Sequence, residues 1–284
     1  MQSLKIAVLI TCYNRKQKTL SFLESLVTQE YFKKGNVDIH MLDDASPDGT
    51  ADAVSEKYPF VNIVKGTGNL FWAGGMRKIW RHALEQKNYD LFLLFNDDVI
   101  LTNGALGRLI DQYEKVGKKG VILVGSTLSK KLNKLTYGGN ILYKKNRPNY
   151  YRAAPHDVDL VPCDSANANI LLVDKFTVDQ EGIFPDIYTH SLADYDYTLT
   201  AKKNGIELYI APGYYGYCEN DHGVNWMPGT EPLKKRIAYL YSPKGLAYKE
   251  YLFFIKKHWP GYQPVSATKM WMKTLFPIIW DKFK

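Results

Sequence analysis

The chain has 284 residues, 45% of them hydrophobic and 23% charged, enough for one large α/β domain or two small ones and too balanced for wholesale disorder or a polytopic membrane protein. Three scattered cysteines, Cys12, Cys163 and Cys218, exclude a disulfide framework and a cysteine-rich zinc site. The net charge of +8 invites nucleic-acid and anionic-membrane readings, so where it sits matters more than its total.

Residues 6–10 form a short apolar run rich in β-branched side chains, which predicts a buried parallel strand. It flows into polar Thr11-Cys12-Tyr13-Asn14 without a small-residue cleavage site, so export is not expected and a reducing cytoplasm is the predicted home. Leu20, Leu23, Leu26 and Val27 recur at helical spacing over residues 18–31. Residues 37–42 predict a second strand ending at Asp43-Asp44, followed by the turn Ser46-Pro47-Asp48-Gly49 and a helix over 51–58. A third strand falls at 61–64. Met76, Ile79, Trp80, Ala83 and Leu84 then mark a helix packed on a sheet. The wholly apolar strand 91–95 stops abruptly at Asn96-Asp97-Asp98, and a helix over 106–113 and a strand over 121–124 follow. No apolar run reaches the roughly 20 residues of a membrane-spanning helix.

This alternation predicts an α/β protein with an open, mostly parallel sheet. Ligands of such sheets bind beyond the carboxyl ends of the strands. Thr11 to Arg15, Asp43 to Thr50, Gly66 to Gly75 and Asn96 to Asp98 follow the four strands, so four strand ends aim polar groups at one rim. Past Gly125 the pattern loosens into Gly138-Gly139, a basic loop, an apolar run at 170–173 and a helical stretch at 197–203. No linker or repeat divides the chain, which predicts one continuous domain over residues 1–232 and a basic, aromatic extension over 233–284.

Asn96-Asp97-Asp98 places hard carboxylate oxygens at the end of a buried strand, a donor set that suits Mg²⁺ or Mn²⁺. Asn and Asp are equally at home in turns and caps, and both readings stay open for this tripeptide and for Asp43-Asp44. Adjacent carboxylates repel, and a divalent cation carrying a phosphorylated ligand would relieve that repulsion. Thr11, Tyr13 and the stretch Gly66-Thr67-Gly68-Asn69-Leu70-Phe71-Trp72-Ala73-Gly74-Gly75 add a ring face and close backbone approach, together suggesting a nucleotide pocket. Trp72 serves equally well as core.

Thr11-Cys12-Tyr13-Asn14-Arg15, Leu42-Asp43-Asp44-Ala45-Ser46-Pro47-Asp48-Gly49-Thr50, Gly68 to Gly75 and Phe95-Asn96-Asp97-Asp98 resemble, in order and spacing, the successive motifs of glycosyltransferase family 2. Ala193-Asp194-Tyr195-Asp196 and the residues up to Gly205 resemble that family's acidic catalytic segment. The closest flavour is the bacterial rhamnosyltransferase-like branch that builds cell-surface polysaccharide.

The resemblance implies a GT-A fold, a UDP- or dTDP-linked sugar donor, Mn²⁺ or Mg²⁺, and inversion at the anomeric carbon. The acceptor would be a glycan or lipid-linked glycan. Thr11, Tyr13 and Asp44, with Asp43 nearby, would hold the nucleoside, and Arg15, Asn69, Trp72 and Gly74 would complete the donor pocket. Asp98 would bind the metal, Asp97 would lie near the donor sugar or ribose, and Asp194 would be the general base. His222 could be the histidine that some members place at the metal. Residues 1–125 would then be the nucleotide-sugar half and 126–232 the acceptor and base half. Three positions depart from the pattern: Ala193 stands where many members carry glutamate, Thr200 where arginine is frequent, and Arg77 in place of a common asparagine.

The departures at Ala193 and Thr200 keep a catalytically silent nucleotide-sugar binder in play. A haloacid-dehalogenase-like phosphatase is a poorer fit, because Ser46 occupies the nucleophile position of Ser46-Pro47-Asp48-Gly49-Thr50. Dehydrogenase and methyltransferase readings need a glycine-rich turn after the first strand, where this chain has Thr11 to Arg15. Nucleic acid is not an expected partner, since no recognisable module accompanies the basic charge. The extension suits either a helix lying on an anionic inner-membrane surface or an ordinary packed tail interrupted by Pro243, Pro260, Pro264 and Pro277.

Overall fold

The computed structural model describes residues 4–220 and 226–282. Strands β1 (Lys5–Cys12), β2 (Asn36–Asp43), β3 (Asn62–Lys65) and β4 (Leu91–Asn96) run parallel in the order β3-β2-β1-β4. Helices α1 (Lys16–Val27), α2 (Glu30–Lys34), α3 (Thr50–Lys57) and α4 (Phe71–Gln86) connect them. Buried on both faces, β1 splits its side chains by alternation. Ile6, Val8 and Ile10 join Phe22 and Leu26 of α1, while Ala7 and Leu9 join Met76 and Trp80 of α4.

Residues 18–31 do not form one helix. The chain leaves the helical path at Gln29, whose backbone is extended and whose side-chain amide donates to the Ser25 and Thr102 carbonyls, so α1 ends and α2 starts anew. The carboxamide ties α1 to the chain beyond β4, an arrangement that local periodicity does not encode.

The sheet continues past β4 with β5 (Ile100–Leu101), α5 (Ala105–Val116), β6 (Val121–Leu128) and β7 (Leu135–Tyr137). A small second sheet holds β8 (Gly139–Leu142), β9 (Tyr150–Arg152) and, after β10 (Val161–Pro162), β11 (Ser165–Ala166). Then come β12 (Ile170–Asp174), α6 (Lys175–Glu181), α7 (Ala193–Lys203) and β13 (Glu207–Tyr217). The full order of the main sheet is β3-β2-β1-β4-β12-β6-β13-β10. β12 runs antiparallel between β4 and β6, and it sets Ile170 against Phe95. The sequence pattern misses β13 because Pro212-Gly213 interrupts it; Gly213 has φ +74° and the pairing with β6 slips between Ile210 and Tyr214.

The extension folds as α8 (Leu233–Tyr241), α9 (Tyr248–His258), a 3₁₀ turn (Pro260–Tyr262), α10 (Gln263–Leu275) and α11 (Ile278–Asp281). Its prolines fall between or at the starts of these helices, where a missing N–H does no harm. Phe254, Ile255 and Trp259 enter the same core as α4 and α7, so α9 is packed onto the domain. Among the described residues no helix is long and apolar enough to cross a membrane.

Candidate active site

The loops after β1, β2 and β3 meet at one rim, and each contains a non-glycine residue in the left-handed region: Asn14, Ala45 and Phe71. Such strained residues persist where the surroundings over-determine them, as at binding sites. Asp44 supplies that constraint. Its Oδ1 accepts the N–H groups of Thr67 and Gly68 at 3.0 and 2.8 Å, and its Oδ2 those of Leu70 and Phe71 at 2.8 and 3.2 Å. Four amides use the acceptor capacity of one carboxylate. Asp44 thereby organises the loop leading into α4.

Asp43 is also buried; its Oδ1 accepts the N–H and hydroxyl of Ser46, whose Oγ in turn accepts the Asn14 N–H at 2.9 Å. Asp48 joins the starts of α1 and α3 by accepting the Lys16 and Thr50 N–H groups, so the phosphatase-like segment is spent on helix starts. Thr11 is buried under Gly75, where any Cβ would lie 2.3 Å from the threonine hydroxyl. Tyr13 stands 46% exposed on the rim, and Asn69 is exposed. Trp72 packs against the core and donates its Nε1–H to Asn96 Oδ1 at 2.8 Å, fixing one wall beside the acidic pair. The Gly74 N–H meets the Thr189 carbonyl at 3.2 Å. Arg77, the departure from the family pattern, donates to the Pro185 and Tyr188 carbonyls and pairs with Asp186, holding the 185–189 segment against α4.

The acidic pair is not left uncompensated, contrary to the expectation from sequence. Arg15 Nη1 lies 2.7 Å from Asp97 Oδ1 and 3.2 Å from Asp98 Oδ2, and Lys18 Nζ lies 3.6 Å from Asp98 Oδ2. Arg15 therefore serves as an internal counter-ion to the carboxylates. Asp97 is 3% exposed and also accepts from the Thr19 hydroxyl; burial pushes its carboxyl up to about 6 despite Arg15. Asp98 is the more open of the two. Its Oδ1 accepts the Cys218 S–H at 3.5 Å, and it lines a cleft of about 370 Å³ together with Lys18, Ser21, Lys131 and Glu219.

Among the described residues no three histidine, cysteine, aspartate or glutamate side chains form a ready-made cage for a metal. The donor chemistry nevertheless fits Mg²⁺ or Mn²⁺: a hard carboxylate oxygen opens onto a cleft roomy enough for phosphate oxygens and water to fill the remaining positions. His222 lies outside the described residues.

Asp194 sits in the first turn of α7, behind Leu192 in the left-handed conformation. Its Oδ2 accepts the Ala168 N–H at 3.0 Å and its Oδ1 the Tyr195 N–H at 2.9 Å. Burial outweighs these bonds and raises its carboxyl to about 6. Asp196, the other acid of this segment, is fully buried and held by His258 Nε2 at 2.6 Å and Lys257 Nζ at 2.8 Å. Despite burial, these partners keep its carboxyl below the usual range. Asp196 thus anchors α9 to α7. Thr200, where arginine was expected, spends its hydroxyl on the Asp196 carbonyl one turn back.

One short stretch of chain links the two acidic segments. The Ala168 N–H holds Asp194, and the next residue's carbonyl, Asn169, accepts the Asn96 N–H at 3.2 Å, two positions before Asp98. The Asn169 amide also donates to Cys218 Sγ at 3.5 Å, and that thiol donates to Asp98. Sequence reasoning missed Asn169, Cys218 and the His258–Asp196 pair, because each acts through a partner tens of residues away and no local motif marks it. A tyrosine pair, Tyr150 and Tyr195 with ring centroids 5.6 Å apart, stands beside Asp194, and Asn167 donates to the Tyr195 hydroxyl at 3.0 Å.

The strand order and the acidic rim define a GT-A-type α/β protein. The family model "Glycosyl transferase family 2" matches residues 7–176, more than half of the chain, and the chain belongs to that family. No curated protein matches it by sequence. Among solved structures, S. aureus TarS 1–349 in complex with UDP is similar at TM-score 0.55 and 16% identity, over 76% of this chain and 60% of that one. The mannosyltransferase PcManGT from Pyrobaculum calidifontis, in complex with GDP-Man and Mn²⁺, is similar at TM-score 0.55 and 13% identity over 99% of this chain and 72% of that one. GalNAc-T7 with UDP, GalNAc and Mn²⁺ reaches TM-score 0.59 at 10% identity, over 74% of this chain and 43% of that one. At these identities the likeness is one of fold. This chain spans less than two thirds of the TarS chain.

Proposed function

We propose that the protein is an inverting glycosyltransferase that moves a sugar from a nucleoside-diphosphate donor to a glycan hydroxyl, in the assembly of a bacterial surface polysaccharide. The observation that supports this reading is the backbone link through residues 168–169, which ties Asp194 to Asn96, two positions before Asp98. UDP, GDP-Man and Mn²⁺ in the complexes of the structural relatives support a nucleotide-sugar donor and a divalent ion here.

In this reading the nucleoside lies over Thr11, Tyr13 and the loop that Asp44 holds, between the ends of β1 and β2. Asp98 would hold the cation, which when bound offsets charge on the departing diphosphate. Arg15 keeps Asp97 and Asp98 in place before the donor arrives, and Lys18 offers the diphosphate a second positive charge. The acceptor sugar stacks on Tyr150 and presents its hydroxyl to Asp194, which removes the proton as the hydroxyl attacks. Asp98 follows the end of β4 and Asp194 lies in the first turn of α7, so leaving-group and acceptor chemistry would be handled by separate groups.

A panel of UDP-, dTDP- and GDP-sugars with Mn²⁺ tests the reading. One or more should raise the melting temperature and release nucleoside diphosphate. Stabilisation without any turnover, in the presence of candidate glycan acceptors, would select the catalytically silent binder instead.

A further inference from the structure

The net positive charge of this chain arises in its C-terminal fifth. Residues 233–284 carry eleven Lys or Arg and two acidic residues, while the preceding 232 residues sum to −1. The same region exposes apolar side chains in a pattern that water alone does not favour. Helix α10 turns Ser266, Met270 and Thr274 inward, one turn apart, so two of its three buried side chains are hydroxyl-bearing. It leaves Val265, Leu275 and Phe276 in solvent, and Ile278 and Ile279 of α11 continue the surface, with Phe276 at 52% and Ile278 at 65% exposure. A helix in water normally does the opposite. Four of five consecutive residues from 275 to 279 are large, apolar and exposed, and the exposed lysines Lys269 and Lys282 flank them.

The Arg236 guanidinium donates to the Thr274 and Leu275 carbonyls, and Asp281 accepts from Trp226 and from the Gly229 N–H, so the apolar end is fixed from behind. Through α9 the extension is tied to Asp196, two residues from Asp194. The surface therefore has a set orientation relative to the catalytic carboxylate.

We infer that the α10–α11 face docks on an anionic lipid bilayer, with Leu275, Phe276, Ile278 and Ile279 entering the headgroup boundary and the surrounding lysines facing lipid phosphates. Apolar insertion beside clustered lysines is the combination that binds acidic membranes reversibly. The choice of a bilayer over a protein partner rests on the charge: the extension carries a net +9 against −1 for the rest of the chain. The inference goes beyond the proposed transferase reaction, and its test does not depend on that reaction.

The full chain is sedimented with phosphatidylcholine vesicles, with and without phosphatidylglycerol. The wild type should bind the anionic vesicles about tenfold or more tightly than the neutral ones, and less as salt rises. Two variants separate the contributions: Phe276→Ser with Ile278→Ser and Ile279→Ser, and Lys269→Glu with Lys282→Glu. Each should lose about tenfold in binding to anionic vesicles, at an unchanged melting temperature and unchanged nucleotide binding. Equal binding to both vesicle types, or variants that bind like the wild type, would overturn the inference. So would a wild type that ignores vesicles but forms a dimer abolished by the triple serine variant, which would assign the face to a second copy of the chain.

Discussion

Replacing Asp194 by asparagine probes the proposed chemistry most directly, because two observations set its magnitude. Burial raises the Asp194 carboxyl to about 6, so near pH 7 the residue is mostly ionised and can accept a proton. Below that value the wild-type turnover should fall about tenfold per pH unit, since only the carboxylate is competent. Asp194→Asn removes the base and should lower turnover by about 10²–10⁴-fold while leaving donor affinity unchanged. It should also abolish the acidic limb of the residual rate, which no longer depends on that carboxylate. The same shift has a cost to stability. The folded state keeps the Asp194 proton where the unfolded chain has lost it, so this contribution is present below about pH 4 and lost as pH rises toward about 6, amounting to about 3 kcal/mol. The assay is release of nucleoside diphosphate from whichever donor stabilises the protein, followed from pH 5 to 8 in both forms, beside calorimetric donor affinity. A variant with near wild-type turnover, or a wild-type rate that is flat down to pH 5, would refute the assignment of Asp194 as base.

Asp98→Ala should weaken Mn²⁺-dependent binding of the nucleoside diphosphate by about tenfold or more in calorimetry, while binding measured with a chelator changes little. Asp44→Ala strips four amides of their acceptor; it should destabilise the fold by about 3 kcal/mol or more and speed hydrogen exchange at Thr67, Gly68, Leu70 and Phe71 in particular. His258→Ala leaves the buried Asp196 with Lys257 alone. It should cost about 2–3 kcal/mol in thermal unfolding and loosen α9, detected as faster proteolysis within the extension.

Apart from the break at Gln29, the first half of the fold was legible because its elements are local statements. β1 and β4 are unbroken apolar runs, α4 repeats its apolar residues every three or four positions, and the polar segments follow directly at the strand ends. The second half hides its organisation in partners. β12 looks like any apolar run, and only its pairing with Phe95 and Leu94 shows that it is antiparallel. Strands of two to four residues such as β8 and β11 are too short for a period to register. The acidic residues themselves were visible in sequence, but their electrostatic setting was not. Arg15 reads as one more polar residue after a strand until its guanidinium is seen between Asp97 and Asp98. Asp194 and Asp196 are equally acidic neighbours in one segment; the family resemblance points to Asp194, and the approach of Lys257 and His258 from α9 shows Asp196 to be an anchor.

The pairing of β12 with β4 makes the spacing between the two chemical centres a matter of backbone register. A slip by one residue would displace the stretch that grips Asp194 by about 3.3 Å and swap every side chain of β12 between the two buried faces of the sheet, an error the core would not tolerate. In the proposed reaction the reach from leaving group to nucleophile would therefore be set by the weave of the sheet, and the choice of sugar and acceptor by the loops around the rim.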